Sequence, residues 1–276
     1  MLIGLLGDTH GNTSWVRYAL DKFSREGVTT ILQVGDFGIY DKPHGHGFLK
    51  SVRLALEKHE QTMYVVPGNH EDYTYINSIP VNEDGWQHLR KDRILLAPRG
   101  HRWSWDYASF VGLGGAPSVD RWYRTTVLKG TTWWAEEAIT PEDVALTVAG
   151  GYADVMVGHD APFVPQIESH IAGNPMGFTD NDLYYAYEGR KLMQKAFEGV
   201  QPKVFLHGHY HTRINSTLHV PSAPFTRDVA FTTHVLGLCC DGQNFSLGSL
   251  DTETLDAVHW DIEQDLRDYM KGRFLR

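Results

Sequence analysis

Apolar and polar positions along the chain fall into two rhythms. Short, nearly unbroken apolar runs rich in β-branched residues read as buried strands: Leu2–Leu6, Thr30–Val34 and Thr62–Val66. Between them, Ser14–Arg25 reads as a helix, and Phe48–Lys58 carries apolar residues at helical spacing, at Phe48, Val52 and Leu56. Strand alternating with helix over the first third predicts right-handed βαβ units and a largely parallel sheet. Later strand runs come in closer succession: Arg93–Ala97, Ser109–Leu113, Asp154–Val157, Lys203–Leu206, Ile214–Leu218, Val229–Leu238 and Phe245–Leu250. They predict a second sheet with more antiparallel pairing, packed on the first as a layered α/β sandwich.

Two inserts interrupt this succession. Residues 118–151 are rich in Trp and Arg and close with a helix whose start is marked by Thr140-Pro141-Glu142-Asp143. Residues 163–199 begin as a Pro/Gly/Asn loop and become helical from about Asp182. A last helical stripe, Ile262, Leu266, Tyr269 and Met270, runs on towards Phe274. With no internal repeat and no low-complexity linker, the expectation is one domain over residues 1–276, carrying a lid-like inserted segment.

Composition narrows the partners. Hydrophobic residues make up 42% and charged residues 21%, which fits neither disorder nor a fibre. The formal net charge of −9, without a long basic run, argues against a protein that tracks long nucleic acid, because displacing counterions from phosphates needs a cationic surface. Small phosphorylated substrates are compatible if bound metal ions supply positive charge locally. The only cysteines, Cys239 and Cys240, are adjacent and suggest neither a zinc site nor a disulfide framework. The first apolar run is too short for a secretory signal, and no run approaches membrane-spanning length. The expected location is cytoplasmic, with no membrane partner.

The chemistry sits where the strands stop. The first run ends in Gly7-Asp8-Thr9-His10-Gly11-Asn12, the second in Gly35-Asp36, the third in Gly68-Asn69-His70-Glu71. Two later runs end in Gly158-His159-Asp160 and His207-Gly208-His209-Tyr210-His211. Carboxyl ends of parallel strands gather on one edge of an α/β sheet, where ligand crevices form. Asp8 and His10, like His209 and His211, are two apart, so in extended chain each pair projects to the same side. A Gly-Asp after a strand is by itself a common turn, and a His-X-His a common surface feature. Five such ends in order point to one metal cluster.

This series resembles the calcineurin-like metallophosphoesterase superfamily, with all five motif blocks in order over residues 8–211. The resemblance implies a four-layer αββα sandwich of two mixed sheets flanked by helices, and a two-metal site. By motif, Asp8, His10 and His211 would hold one metal and Asn69, His159 and His209 the other, with Asp36 bridging both. Such oxygen and imidazole ligands suit Mn, with Fe or Zn as alternatives, rather than calcium. Two cations about 3.5–4 Å apart polarise phosphoryl oxygens and lower the pKa of a shared water, whose hydroxide would attack phosphorus. By the same resemblance His70 is no ligand; it would protonate the leaving alkoxide, a role worth roughly 10²–10⁴-fold. The alternative for His70 is a structural imidazole beside Asn69. Glu71 would bond His70 or cap the following helix.

Other residues are open to two readings. Asn12 would reach the phosphate or cap the helix after it. His44 and His46 lie in an expected Gly-rich loop, and His207 reads as a packing residue or a donor to the ligands. Arg121 and Arg124 offer planar forks suited to phosphate, and Trp122, Tyr123, Trp133 and Trp134 a stacking face for a base, unless they only pack a lid. The favoured function is a phosphodiesterase acting on small nucleotides, cyclic ones among them. A phosphomonoesterase or protein phosphatase, a nuclease and a non-catalytic scaffold are the alternatives. Asp36 is followed by Phe37-Gly38-Ile39-Tyr40 rather than the Asp-Arg-Gly continuation of the protein Ser/Thr phosphatases, which disfavours that branch. The acidic balance disfavours a nuclease, and the intact ligand set disfavours a scaffold.

Overall fold

The computed structural model describes residues 1–90, 93–222 and 229–273. In chain order its strands begin with β1 (Leu2–Leu6), β2 (Thr30–Gln33), β3 (Thr62–Val65), β4 (Gln87–His88), β5 (Ile94–Leu96) and β6 (Arg102–Trp105). They continue with β7 (Ala108–Leu113), β8 (Val155–Gly158), β9 (Val204–His207), β10 (Ile214–Val220), β11 (Phe231–Gly237), β12 (Leu247–Asp251) and β13 (Ala257–His259). The helices are α1 (Thr13–Arg25), α2 (Pro43–Lys58), α3 (Tyr73–Ser78), α4 (Pro141–Ala149), α5 (Pro165–Ile171), α6 (Asp180–Val200) and α7 (Glu263–Arg273).

Successive strand residues face opposite ways, and this alternation produces the layers. Ile3 and Leu5 of β1, Leu32 of β2, and Val66 just after β3 enter a core shared with Phe110, Val155, Val157, Val204 and Leu206. The opposite faces, with Leu6, Ile31, Met63 and Val65, meet Val16, Leu20 and Phe23 of α1 and Leu49, Val52 and Leu56 of α2. On the far side Met156 and Phe205 meet Met193, Ala196, Phe197 and Val200 of α6. Strands buried on both faces must be apolar throughout, which is why they read as unbroken runs. The result is two mixed sheets face to face with helices outside, as the family resemblance implied.

The first sheet has the order β13-β12-β1-β2-β3-β5-β4 and the second β10-β11-β9-β8-β7-β6. In the first, β1, β2, β3 and β5 run parallel. In the second, β7, β8, β9 and β11 do the same. The expected surplus of antiparallel pairing in the second sheet is therefore wrong. Its antiparallel pairs are β6–β7 and β10–β11, against three such pairs in the first sheet. The reason lies in the two inserts: they are the crossovers from β7 to β8 and from β8 to β9, and their helices α4, α5 and α6 cover the outer face. Two later runs, β5 and β12, also belong to the first sheet.

Helix boundaries follow local chemistry. Asn12 caps α1, its Oδ1 accepting from Trp15 N at 3.2 Å. Thr140 and Asp143 form a reciprocal capping box on α4. Helix α2 starts earlier than its apolar spacing indicated: Pro43 occupies its first turn and His44 and His46 are helical, not in a loop. Ile262, just before α7, and Leu266 within it pack on the α1–α2 side of the first sheet. Phe274 lies outside the described residues, as do the side chains of Tyr269 and Met270. Among the described residues no helix is long and apolar enough to cross a membrane.

Candidate metal centre

The ends of β1, β2, β3, β8 and β9 deliver their polar residues to one place on the sandwich edge. Asp8, Asp36, Asn69 and His159 are buried, whereas His10 and His211 keep side-chain exposures of 33% and 42%. The site thus has a closed floor and an open mouth. One ligand atom each from Asp8, His10, Asp36 and His211 lie within 4.8 Å of one another. His211 Nε2 stands 3.1 Å from Asp8 Oδ2, and His10 Nε2 3.7 Å from Asp36 Oδ2. On the other side of Asp36, its Oδ1 is 3.3 Å from His159 Nε2, which is 2.9 Å from Asn69 Oδ1. His209 stacks edge-on to His159 at 5.0 Å between ring centroids, and its N–H donates to Asp8.

The pairs two apart in sequence do not reach this arrangement as extended chain. His10, His209 and His211 have φ of +46°, +68° and +49°, and Asp36 has +52°. Left-handed backbone in non-glycine residues costs about 1–3 kcal/mol each and persists where the surroundings impose it. Here loop-to-loop bonds impose it: the N–H groups of Thr9 and His10 both donate to Asp36 O, at 3.0 and 2.8 Å. Two glycines permit the close approach. A Cβ at Gly68 would meet Asp36 N and Oδ1 at 2.3 Å, and one at Gly208 would meet Asp8 Oδ1 at 2.0 Å.

A family model described as calcineurin-like phosphoesterase matches residues 1–213. The chain belongs to the calcineurin-like phosphoesterase family. Among solved structures, it is similar to a dimetal phosphatase from Danio rerio, at 12% identity over 90% of this chain and 91% of that one, with a TM-score of 0.48. An archaeal phosphodiesterase is similar at 13% identity over 95% and 99%, with a TM-score of 0.40. A further solved structure reaches a TM-score of 0.50 at 12% identity over 94% and 98%. No curated protein matches the chain.

Members of this family typically bind two divalent metals, and the residues present here fit that demand. His159 Nδ1 donates to Val34 O at 2.8 Å, and Asn69 Nδ2 donates to Ser118 Oγ at 2.8 Å. Those bonds hold His159 Nε2 beside Asn69 Oδ1 and Asp36 Oδ1, where a proton or a cation relieves the repulsion of the lone pairs. Burial pushes the Asp36 carboxyl up, but His159, His70 and His10 outweigh it and hold it well below the usual range. Burial opposes a charged His159, yet Asp36 beside it raises the imidazole to about 10. His211 also rises to about 10 against its burial, through Asp8 and the Cys240 thiol. In the outer group, two ligands each about 2.1 Å from one ion stand at most about 4.2 Å apart, so the 4.8 Å spread needs only a small inward shift.

The remaining expected residues take varied positions. The N–H of His70 donates to Asp36 Oδ1 at 2.8 Å, and its ring lies 6.2 Å from that of His10. Burial lowers the His70 imidazole below its ordinary range, while Asp36 works the other way. Glu71 neither bonds His70 nor caps a helix. It is buried, and its Oε1 accepts from Phe37 N at 2.5 Å and Gly38 N at 3.4 Å, clamping the loop after Asp36, while Asp72 caps α3. Burial, with Asp36 nearby, pushes its carboxyl up to about 8. His207 is fully buried, and burial lowers it to about 4.

Of the two readings open for Arg121 and Arg124, phosphate contact or packing, the structure shows both engaged by the protein. Arg124 is buried, its Nη1 donating to Ser118 Oγ at 2.5 Å and Glu137 Oε2 at 3.2 Å, and its Nη2 to the carbonyls of Asn69 and Thr132. Arg121 Nε stands 3.3 Å from Asp182, with its guanidinium 4.0 Å over the Tyr185 ring. Sequence reasoning missed Ser118 and Glu137, which orient Asn69. It also missed Asp241, whose Oδ1 accepts from His10 Nδ1 at 2.9 Å and Oδ2 from Asn12 Nδ2 at 2.7 Å. Asp241 is separated from the end of β11 by Leu238, Cys239 and Cys240, so the strand-end pattern that marked the other sites does not single it out.

Proposed function

We propose that this metal-dependent phosphoric ester hydrolase is a phosphodiesterase acting on small nucleotides, cyclic nucleotides among them. Asp8, His10 and His211 would hold one divalent metal and Asn69, His159 and His209 the second, with Asp36 shared between them and Mn as the first choice of metal. When bound, such a pair supplies positive charge that polarises phosphoryl oxygens and lowers the pKa of water.

The chain's own residues then have distinct tasks. His70, tied to Asp36 through its backbone and left out of the ligand set, holds a proton on its imidazole for the leaving oxygen. Its depressed proton affinity makes it a stronger acid when charged. Glu71 fixes the loop after Asp36 by accepting from Phe37 N and Gly38 N.

The observation that carries the nucleotide reading is an aromatic cluster around Tyr40, on the loop that follows Asp36. Tyr40, four residues after Asp36, has its ring centroid 5.7 Å from His44 and 6.1 Å from Trp134. Burial first, and then the charges of Glu71 and Asp36, push the Tyr40 phenol up. A phosphate group needs no aromatic surface, whereas a base stacks on one for about 1–3 kcal/mol. A panel of cyclic nucleotides, linear diesters, monoesters and phosphopeptides, run on Mn-loaded protein, tests the reading. Diesters of nucleosides are expected to turn over fastest, and a strong preference for phosphopeptides or simple monoesters would overturn it.

A further inference from the structure

We propose that Asp241 is a positioning residue of the metal centre, orienting His10 so that its Nε2 faces Asp8 and Asp36 and thereby setting the affinity of the outer metal position. The inference rests on the ligand assignment proposed above. It goes beyond it, because Asp241 lies past residue 213, where the family match ends.

The geometry divides the carboxylate between two jobs. Oδ2 accepts from Asn12 Nδ2 at 2.7 Å, and Asn12 is itself fixed as the cap of α1, so Asp241 cannot swing away freely. Oδ1 accepts from His10 Nδ1 at 2.9 Å, which leaves the His10 Nε2 lone pair directed at the cluster, 3.7 Å from Asp36 Oδ2. A carboxylate behind a metal-facing imidazole fixes its tautomer and ring angle and raises its basicity. His10 needs such a hold more than the buried His159 does. Its side chain is 33% exposed and its ring contacts are with His70 and His211, two rings of the same mouth.

The backbone puts Asp241 there for a structural reason. Strand β11 belongs to the second sheet and β12 to the first, so the chain between them crosses from sheet to sheet. The crossing is pinned at Leu238 N to His207 O and Cys239 N to Phe245 O. Between these bonds Cys240–Gln243 forms a turn, Gln243 N donating to Cys240 O at 3.2 Å with Gly242 at φ +76°. Asp241 occupies its corner, over the loop that carries His10.

Calorimetric Mn²⁺ titration, metal content and the electron paramagnetic resonance of coupled Mn²⁺ pairs, measured on wild type, D241A, D241N and H10A, test the proposal. D241A is expected to lose about 10–100-fold in Mn²⁺ affinity at one position while the other stays unchanged. Its coupled-pair signal then vanishes at Mn²⁺ levels that saturate the wild type and returns at high Mn²⁺. D241N keeps a neutral acceptor for His10 Nδ1 and is expected to fall between, which also answers the question if D241A does not fold. Wild-type affinities in D241A, or in D241N where D241A is not obtained, beside an H10A that has lost one ion, overturn the positioning role and leave the ligand assignment standing. An H10A that keeps both ions, or a wild type that binds fewer than two, overturns the assignment and the proposal with it.

Discussion

The backbone N–H of His70 donates to Asp36 Oδ1 at 2.8 Å, so the expected proton donor is pinned to the carboxylate expected to join the metals. The same oxygen stands 3.3 Å from His159 Nε2. One carboxylate thus organises both halves of the site. Asp36→Asn, which keeps the shape and removes the charge, is expected to cut metal content from two ions per chain to one or fewer. Turnover should fall by at least about 10²-fold, the scale of losing one electrostatic stabiliser. Metal analysis of the purified variant checks the first effect and steady-state assays the second.

His70→Ala should leave metal content unchanged, since the imidazole is outside the proposed ligand set. Turnover of diesters with alkoxide leaving groups should drop by roughly 10²–10⁴-fold, and that of nitrophenyl diesters, whose leaving group needs no proton, far less. Equal losses on both substrate types would remove His70 from the proton-transfer step.

Gly208→Ala tests the packing under Asp8. The new Cβ would lie 2.0 Å from Asp8 Oδ1, and Asp8 is fully buried with His209 N and His211 on its other contacts. Relief requires shifting the carboxylate or the loop, at about 1–3 kcal/mol of overpacking. Urea unfolding should show that loss, and Mn²⁺ titration a weakened site.

Arg124→Met would strand Glu137 in the interior. Glu137 is fully buried, and Arg124 is the cation against it. Breaking one side of such a pair costs about 3–5 kcal/mol. The double change Arg124→Met with Glu137→Gln should recover much of it, a comparison that equilibrium denaturation resolves.

Asp154 governs acid stability away from the metals. Burial pushes its carboxyl up, but bonds from Tyr152, Ser109 and Lys203 outweigh burial and hold it well below its ordinary 3.8. A depressed folded-state value means the stabilisation is full above about pH 4 and is lost as pH falls below it. Asp154→Asn should therefore cost about 1.5–3 kcal/mol at neutral pH, with the gap to wild type closing below about pH 4. A gap that stayed constant from pH 7 to pH 3 would refute this.

Much of the architecture was legible because of where its strands lie. Leu2–Leu6 was read with the limits it has in the structure, since a strand covered on both faces admits no polar interruption. The strand-end motifs were legible for the converse reason: Asp8, Asp36 and His159 are polar residues placed where an apolar run stops. Arg102–Trp105 and Ala257–His259 escaped notice, being an edge strand with mixed exposure and a strand of three residues. His44-Gly45-His46-Gly47 looked like a loop because its helical turn rests on Pro43 rather than on apolar spacing. Arg124 carried the right chemistry for phosphate, but only the fold reveals Glu137 waiting for it. Asp241 reaches His10 across most of the chain, a distance that local patterning does not span.

Strand β1 is flanked by β2 on one side and β12 on the other, with Leu2 paired to Asp251 and Leu6 to Leu247. Gly7 N, at the root of the loop that carries Asp8 and His10, donates to Ser246 O. Strand β1 thus completes its pairing only when β12, from a distant part of the sequence, docks beside it. Long-range closures of this kind are slow steps in folding. The loop that would bind metal is rooted by this closure, so metal uptake can serve as a clock for the completion of the fold.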